Sequence, residues 1–577
     1  MNRIVSRTQG ARLRRITVAA CLAAGAAIAP AGAQAVSANC SAAALNAAGV
    51  PGVTIALAVD VPASASNPEF CDVQGAVATS GEGAPAGAAN FELQLPVVWN
   101  EKFLFWGVGG LAGSTYPDFA ANPVDYFASL YKGYATAITD EGHQAGGTDA
   151  AWALIAKGEP DRAKVADYYD RATHEVTQAA KKLVMAYYGA SAIKHSYFDG
   201  CSNGGRQAMV EASHFPDDYD GIIAGAPFMD IRTIIAGVKF QKNNLASAQA
   251  YIPASLLPVI DAAVYASCDA ADGVQDGLIQ NPARCSFDPA TLVCQNGATS
   301  NCLTPAQAGT LRSYFTALRN SQGEVVYNGA SLTDLAGGMD VWSVGAVAPT
   351  DFTANEPWGG TGFSPAPVAW QFVDHIMKFL VARDAGYDLR SFAVTAAGVV
   401  DDKALDFFDS RTARGDGASP QRLHEFIRHD GKLLMFHGFS DPALPPFRTI
   451  SYYEDLAQIH GGYEHLQKNV RLFMVPGMQH CGGGPGPNFF DTLTALENWR
   501  ENGTAPDAIT AAHYTGNNPA MGVDRTMPLC KFPEEAQYSG SGAYNNGANW
   551  SCTANRKLLE VGADGAAAGL PGGRSSD

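Results

Sequence analysis

A serine becomes a useful nucleophile only when a base takes its proton and a carboxylate orients that base. Three short segments carry those residue types in the order serine, acid, histidine. Gly200-Cys201-Ser202-Asn203-Gly204 is a G-x-S-x-G. Between a strand and a helix this pattern makes a sharp turn. Small residues two positions either side let the chain reverse, and the serine hydroxyl stands clear of the sheet. A bare match is cheap in a chain with 61 Gly, so its weight comes from its flanks. Asp441 follows the apolar run Lys432 to Phe436, within His437-Gly438-Phe439-Ser440-Asp441-Pro442. His480 follows a second apolar run, Val470 to Val475, and a Pro476-Gly477 turn. Ser202, Asp441 and His480 are therefore the expected triad, and its chemistry is acyl transfer through a covalent intermediate. Of the competing histidines, His437 is a candidate for lining the pocket, and His460 and His465 read as surface helix residues.

The backbone N–H of Asn203 is expected to face an oxyanion. A partner amide is expected from Gly107-Val108-Gly109-Gly110, with Gly109 and Gly110 as donors. Gly107-x-Gly109-x-x-Ala112 also matches a dinucleotide fingerprint, but Pro117 interrupts the helix that fingerprint requires. Ser202 and His480 must come within hydrogen-bond distance, which brings their neighbours Cys201 and Cys481 close enough for a disulfide. Two buried free thiols are the bland alternative. Local spacing suggests Cys40–Cys71, Cys268–Cys285, Cys294–Cys302 and Cys530–Cys552 as the other pairs. No CxxC occurs, so zinc ribbons and thioredoxin chemistry have no support.

The elements that must position these residues are legible in outline. Phe91 to Trp106 holds two strands, and Asp161 to Tyr188 has apolar positions at helical spacing. His195 to Asp199 reads as a strand, Gly205 to Ser213 as a helix and Asp220 to Ala224 as a strand. The runs at Lys432 and Val470 fit strands buried in a parallel sheet, so the fold class is α/β. Residues 36–90 are rich in Ala, Gly and Ser, and the tail from Gly562 is loose.

Composition narrows the setting. Of 577 residues, 47% are hydrophobic and 16% charged, which excludes a disordered chain. A net charge of −17 disfavours phosphate backbones, so no nucleic-acid partner is expected. Arg3, Arg7, Arg12, Arg14 and Arg15 precede an apolar stretch, Ile16 to Ala31, that ends in Ala-Gly-Ala-Gln-Ala. This reads as a cleavable signal peptide over 1–35, cut near Ala33 or Ala35. The stretch is too short for a stable membrane anchor, and a lipoprotein site at Cys21 or twin-arginine export through Arg14-Arg15 are weaker readings. The mature chain keeps an even number of cysteines, as an exported, disulfide-bonded protein would.

The loop Asp269-Ala-Ala-Asp272-Gly273-Val274-Gln275-Asp276-Gly277-Leu278 gathers three carboxylates between turn-forming glycines. On spacing alone it is either a calcium shell or a solvated Asx-turn loop.

Taken together, these motifs resemble the tannase and feruloyl esterase family, which includes the hydrolase of mono(2-hydroxyethyl) terephthalate. The carriers are Gly200 to Arg206, Tyr219-Asp220-Gly221-Ile222-Ile223-Ala224-Gly225-Ala226-Pro227, the loop from Cys268 to Pro289, His437-Gly438 through Asp441-Pro442, and Pro476-Gly477-Met478-Gln479-His480-Cys481. The resemblance implies an α/β-hydrolase core over 36–225 and 426–577, with an inserted lid domain over 226–425. The stretch from Ser202 to Asp441 far exceeds a pair of βα units of about 30 residues each, as such an insertion requires. The resemblance also implies the disulfide beside Ser202 and His480, and a structural calcium. Its ligands would be the side chains of Asp269, Asp272 and Asp276 and the carbonyls of Val274 and Leu278. One position departs from the family pattern: Asn203 stands where Thr is frequent.

The implied activity is that of a secreted or periplasmic serine carboxylic ester hydrolase acting on a small aromatic ester, feruloyl, galloyl or related. Trp358, Trp370 and Phe372 are candidates for flanking its ring, with core packing the more usual role for any one of them. No arginine is placed to anchor a terephthalate carboxylate. Mono(2-hydroxyethyl) terephthalate-type esters are the alternative substrate, and a peptidase or a non-catalytic binding protein on the same fold are the alternative functions.

Overall fold

The computed structural model describes residues 39–65, 67–115, 129–359 and 365–554. The expected leader, Pro117 and the tail from Gly562 lie outside the described residues.

A nine-stranded mixed sheet organises the chain. At one edge, β1 (Val53–Val61), β2 (Phe70–Thr79) and β3 (Gly87–Pro96) pair antiparallel. Buried and more exposed positions alternate along β2 and β3, as in a sheet with one solvated face. β3 then pairs antiparallel with β5 (Ala135–Thr139). From there the sheet is parallel: β5 pairs with β4 (Lys102–Trp106), β4 with β6 (His195–Cys201), then β7 (Gly221–Gly225), β8 (Lys432–Gly438) and β9 (Val470–Val475). Every residue of β7, β8 and β9 is buried. Helices cover both faces of such strands, which is why they read as unbroken apolar runs.

Helix α1 (Ala172–Tyr188) buries Val176, Ala180, Leu183 and Tyr187. Its first turns begin at Arg162, where the Asp161 side chain caps the Lys164 N–H at 3.2 Å, and pass through a wider turn at Asp167–Arg171. It stops at Gly189, whose φ of 65° a β-carbon would disfavour. Helix α2 (Asn203–His214) starts two residues before the expected Gly205, directly on the serine turn.

Between β7 and β8 the chain leaves the sheet. It forms α3 (Thr233–Asn244), α4 (Leu257–Cys268), α5 (Pro305–Phe315), α6 (Val368–His375), a further helix at Asp402–Thr412 and several shorter helical turns. Two apolar clusters hold this insertion. One includes Ile235, Val238, Val373 and Met377, the other Ile260, Val264, Leu311 and Phe315. α7 (Pro446–Ile459) follows β8, and α8 (Thr492–Asn502) follows β9. Two hairpins close the described chain: β10 (Ala508–Tyr514) with β11 (Val523–Cys530), and β12 (Glu534–Tyr538) with β13 (Trp550–Ala554).

All five expected disulfides form: Cys40–Cys71, Cys201–Cys481, Cys268–Cys285, Cys294–Cys302 and Cys530–Cys552. Strands β1 and β2 were not expected. The Ala-, Gly- and Ser-rich composition hides their apolar positions, Phe70, Val73 and Val77, which become meaningful only against β3.

Candidate active site

Ser202 joins β6 to α2 with φ 63° and ψ −121°, a strained conformation for a residue with a side chain. Its surroundings over-determine it. The Ser202 N–H donates to the Gly225 carbonyl at 3.0 Å, and the Ser202 carbonyl accepts from Arg206 and Phe228. The glycines around it are steric requirements. A β-carbon on Gly200 would lie 2.5 Å from the Gly204 oxygen, and one on Gly107 would lie 2.6 Å from the Gly204 Cα.

His480 stands between the other two predicted residues. Its Nε2 is 2.9 Å from Ser202 Oγ, and its Nδ1 is 2.7 Å from Asp441 Oδ2. Asp441 Oδ1 accepts from the N–H groups of Ala443 and Leu444 at 2.8 and 2.9 Å. Burial opposes ionisation of Asp441. The flanking His480 and His437 outweigh it and hold the carboxyl well below the usual carboxylate range. An ionised Asp441 accepts from His480 Nδ1–H, which leaves Nε2 as the base facing Ser202. The Cys201–Cys481 bridge joins the residue before Ser202 to the residue after His480, with 6.0 Å between Cα atoms.

His437 does not line the pocket as expected. It is buried behind Asp441, where its Nε2 lies 3.1 Å from Asp441 Oδ2 and 3.2 Å from the Leu444 carbonyl. Both are acceptors, so Nε2 carries a proton, and Nδ1 meets Thr449 Oγ1 at 2.8 Å. His437 lies on β8 with its ring turned away from the cavity, and strand direction was not readable from its position in the motif.

The expected oxyanion donors lie beside the serine. The N–H of Val108 goes to Gln207 Oε1, and those of Leu111 and Ala112 go to backbone carbonyls. Asn203 and Gly110 line the same cavity as Ser202 and His480, and Gly109 is not among its lining residues. The rival dinucleotide reading fails on geometry: residues 107–115 form turns, and no helix starts there.

Behind these amides lies a polar cluster that sequence reasoning missed. Glu141, Arg206, Asn203 and Gln207 are all buried. Glu141 Oε1 accepts from Arg206 Nη2 at 2.9 Å and Gln207 Nε2 at 2.7 Å, and Oε2 accepts from Asn203 Nδ2 at 2.8 Å. Burial pushes the Glu141 carboxyl up to about 7 against the pull of the Arg206 guanidinium. A glutamate two residues past a strand carries no motif, so only the fold could bring it to the serine.

The cavity in front of Ser202 is lined mainly by the insertion, with Phe228, Phe240, Trp342, Phe372, Val373 and Ile376 among its apolar walls. Among the described residues no Lys or Arg lines it. Phe372 sits in this wall as expected, but Trp358 and Trp370 do not. They are 3% and 2% exposed and pack against each other in the core of the insertion. Trp342, which sequence reasoning did not single out, packs edge-on against His480 at 5.1 Å. The insertion also braces the triad loops: Asp334 accepts from Gln479 Nε2 at 2.6 Å, and Thr333 Oγ1 donates to the Phe439 carbonyl at 3.0 Å.

The acidic loop is closed by Cys268–Cys285. Asp269 accepts from the N–H groups of Asp276 and Gly277, Asp272 from Val274, and Asp276 from Leu278 and Arg525. Burial, with the nearby Asp276 and Asp269 adding to it, pushes the Asp272 carboxyl up to about 6. Three carboxylates and the loop carbonyls are the oxygen chemistry a hard divalent cation takes, although Arg525 already pairs with Asp276.

A mixed α/β sheet with serine, histidine and aspartate in hydrogen-bond contact beyond its parallel strands defines an esterase-type fold and site. The family model described as tannase and feruloyl esterase matches residues 71–553, and the chain belongs to that family. It is 34% identical to mono(2-hydroxyethyl) terephthalate hydrolase of Piscinibacter sakaiensis over 548 residues, covering 85% of this chain and 87% of the relative. It is 27% identical to feruloyl esterase B of Aspergillus niger over 483 residues, covering 80% and 83%. Among solved structures, feruloyl esterase B from Aspergillus oryzae shares the fold with a TM-score of 0.73 at 23% identity, covering 87% of this chain and 97% of that one.

Proposed function

We propose that this protein is an exported serine esterase that cleaves esters of aromatic acids through an acyl-enzyme, on an α/β-hydrolase core with the β7–β8 insertion as its lid. The observation that carries the reading is His480, which bridges Ser202 Oγ and Asp441 within hydrogen-bond distance on both sides. His480 Nε2 takes the Ser202 proton as Oγ attacks the ester carbonyl, and Asp441 stabilises the imidazolium. The N–H groups of Asn203 and Gly110 receive the oxyanion. His480 then protonates the leaving alcohol, and water, deprotonated by the same nitrogen, releases the acid.

The cavity favours an uncharged aromatic acyl group. Its aromatic walls suit a planar ring, and among the described residues no lining Lys or Arg compensates a free carboxylate. Feruloyl, galloyl or related neutral esters are therefore favoured over mono(2-hydroxyethyl) terephthalate. Calcium held by Asp269, Asp272 and Asp276 with the carbonyls of Val274 and Leu278 would supply rigidity and no chemical step. The five disulfides support export.

Methyl ferulate, methyl gallate, mono(2-hydroxyethyl) terephthalate and p-nitrophenyl acetate, assayed with the wild type and Ser202→Ala, test the reading. Turnover of a neutral aromatic ester that vanishes in the variant is expected. Folded, calcium-loaded protein that turns over none of the four would overturn it.

A further inference from the structure

We propose that Glu141 is a positioning residue for the oxyanion site, holding Asn203 and the Val108–Gly110 turn in one fixed arrangement. The inference rests on the reading of Ser202 as the nucleophile and of the Asn203 N–H as an oxyanion donor.

Asn203 has two ends with different tasks. Asn203 lines the cavity beside Ser202, while its side chain is engaged in the buried polar cluster. Nδ2 donates to Glu141 Oε2 at 2.8 Å and to the Val108 carbonyl at 3.0 Å, and Oδ1 accepts from Arg206 Nε at 2.8 Å. Gln207 makes the matching connection on the other side of the same peptide segment: its Nε2 donates to Glu141 and its Oε1 accepts from the Val108 N–H. Val108 is thus gripped at both N–H and C=O, immediately before Gly109-Gly110, by two side chains that converge on one carboxylate.

Glu141 suits this task for three reasons. Its two oxygens accept three donors from α2, so the helix start and the turn cannot move independently of it. It balances Arg206, which is fully buried and whose remaining donors go to the carbonyls of Tyr168 and Tyr169. Without a carboxylate at 141 that guanidinium would be a buried, unpaired charge. Glu141 also holds a φ of 58°, a left-handed conformation that a non-glycine residue keeps only where its surroundings enforce it. The pairing uses the Asn203 amide, which donates to the Glu141 carboxylate and to the Val108 carbonyl at once.

Oxyanion donors act by being in place before charge develops, so a small displacement weakens the transition state more than the bound ester. The test measures kcat, KM and the inhibition constant of phenylboronic acid, whose tetrahedral adduct on Ser202 places an oxygen in the oxyanion site. The proteins are wild type, Ser202→Ala, Glu141→Gln, Asn203→Thr and the double variant. Glu141→Gln is expected to lower kcat about tenfold, below the full loss of a donor, and to weaken boronate binding by a similar factor with KM little changed. The double variant is expected to be no worse than the poorer single variant, because both break one network. Folded Glu141→Gln with wild-type kcat, a loss of kcat without loss of boronate affinity, or effects that multiply would each overturn the proposal. If Glu141→Gln does not fold, Asn203→Ala removes only the side-chain half of the pair, and unchanged kcat and boronate affinity there overturn it equally. Ser202→Ala with wild-type turnover would mean that the serine reading itself had failed. An inactive Ser202→Ala beside an unaffected Glu141→Gln would sink the positioning role alone.

Discussion

Asp441 and the acidic loop put carboxylates into similar surroundings with opposite results. Burial works to raise the pKa in both places. Beside Asp441 stand two imidazoles and two backbone N–H groups, and its carboxyl is held well below the ordinary range. Beside Asp272 stand two further aspartates, and its carboxyl is pushed up to about 6. Burial is therefore not what distinguishes a working carboxylate; its partners are. The triad is electrostatically complete within the protein. The acidic loop, with Arg525 on Asp276 as its cationic partner among the described residues, holds more negative side chains than positive ones, which is the imbalance the proposed calcium would relieve.

Breaking the complete side of this comparison should have the largest effect. Asp441→Asn leaves His480 in the wrong tautomer and is expected to lower kcat by about 10⁴-fold with the fold intact, measured by ester turnover and circular dichroism. Replacing Cys201 and Cys481 together by serine removes the covalent tie between the nucleophile turn and the histidine loop. A loss of about 2–5 kcal/mol in denaturant-derived stability is expected, with a lower kcat, and an unaltered kcat would show that packing alone holds the triad. On the incomplete side, chelating calcium should lower Tm by several degrees without changing kcat of the folded fraction. An ion at about a hundred times its Kd adds about 2.7 kcal/mol of stability. Asp272→Asn should abolish that calcium dependence, and calcium-independent melting of the wild type would remove the ion from the loop.

The smallest effect concerns Glu141, which lies between these extremes. It faces Arg206 from α2, Asp140 from its own loop and the Tyr168 ring. Its carboxyl titrates at about 7 in the fold, above the usual range, so the native state holds this proton more tightly than the unfolded chain. The stability it contributes is complete below the ordinary carboxylate range and is lost as pH rises through about 7. Melting curves of Glu141→Gln should show a shallower fall in Tm across that window than the wild type.

Much of the site was legible because its residues are tied to local shape. Gly200 and Gly204 are needed within a few residues of Ser202, and Asp441 and His480 each follow a strand that reads as an apolar run. The Cys201–Cys481 pair followed from the contact that Ser202 and His480 must make. What could not be read were residues whose neighbours lie far along the chain. His437 was a candidate for the pocket wall and lies behind Asp441. Trp358 and Trp370 were candidates for the substrate ring and pack against each other, while Trp342 takes the place beside His480. β1 and β2 escaped notice because Ala and Gly in a strand signal little until a neighbouring strand supplies the other half of the core.

The sequence by itself determined the nucleophile turn, the order and identity of the three triad residues, the disulfide partners and the parallel strands behind them. Each of these depends on backbone conformation or on residue types a few positions apart, and such constraints leave a local imprint. Only the tertiary structure decided which aromatic rings line the cavity, and that Glu141 lies against Asn203, Arg206 and Gln207. Those outcomes are set by contacts between segments distant in the chain, where burial and charge balance act across space and leave no periodic pattern.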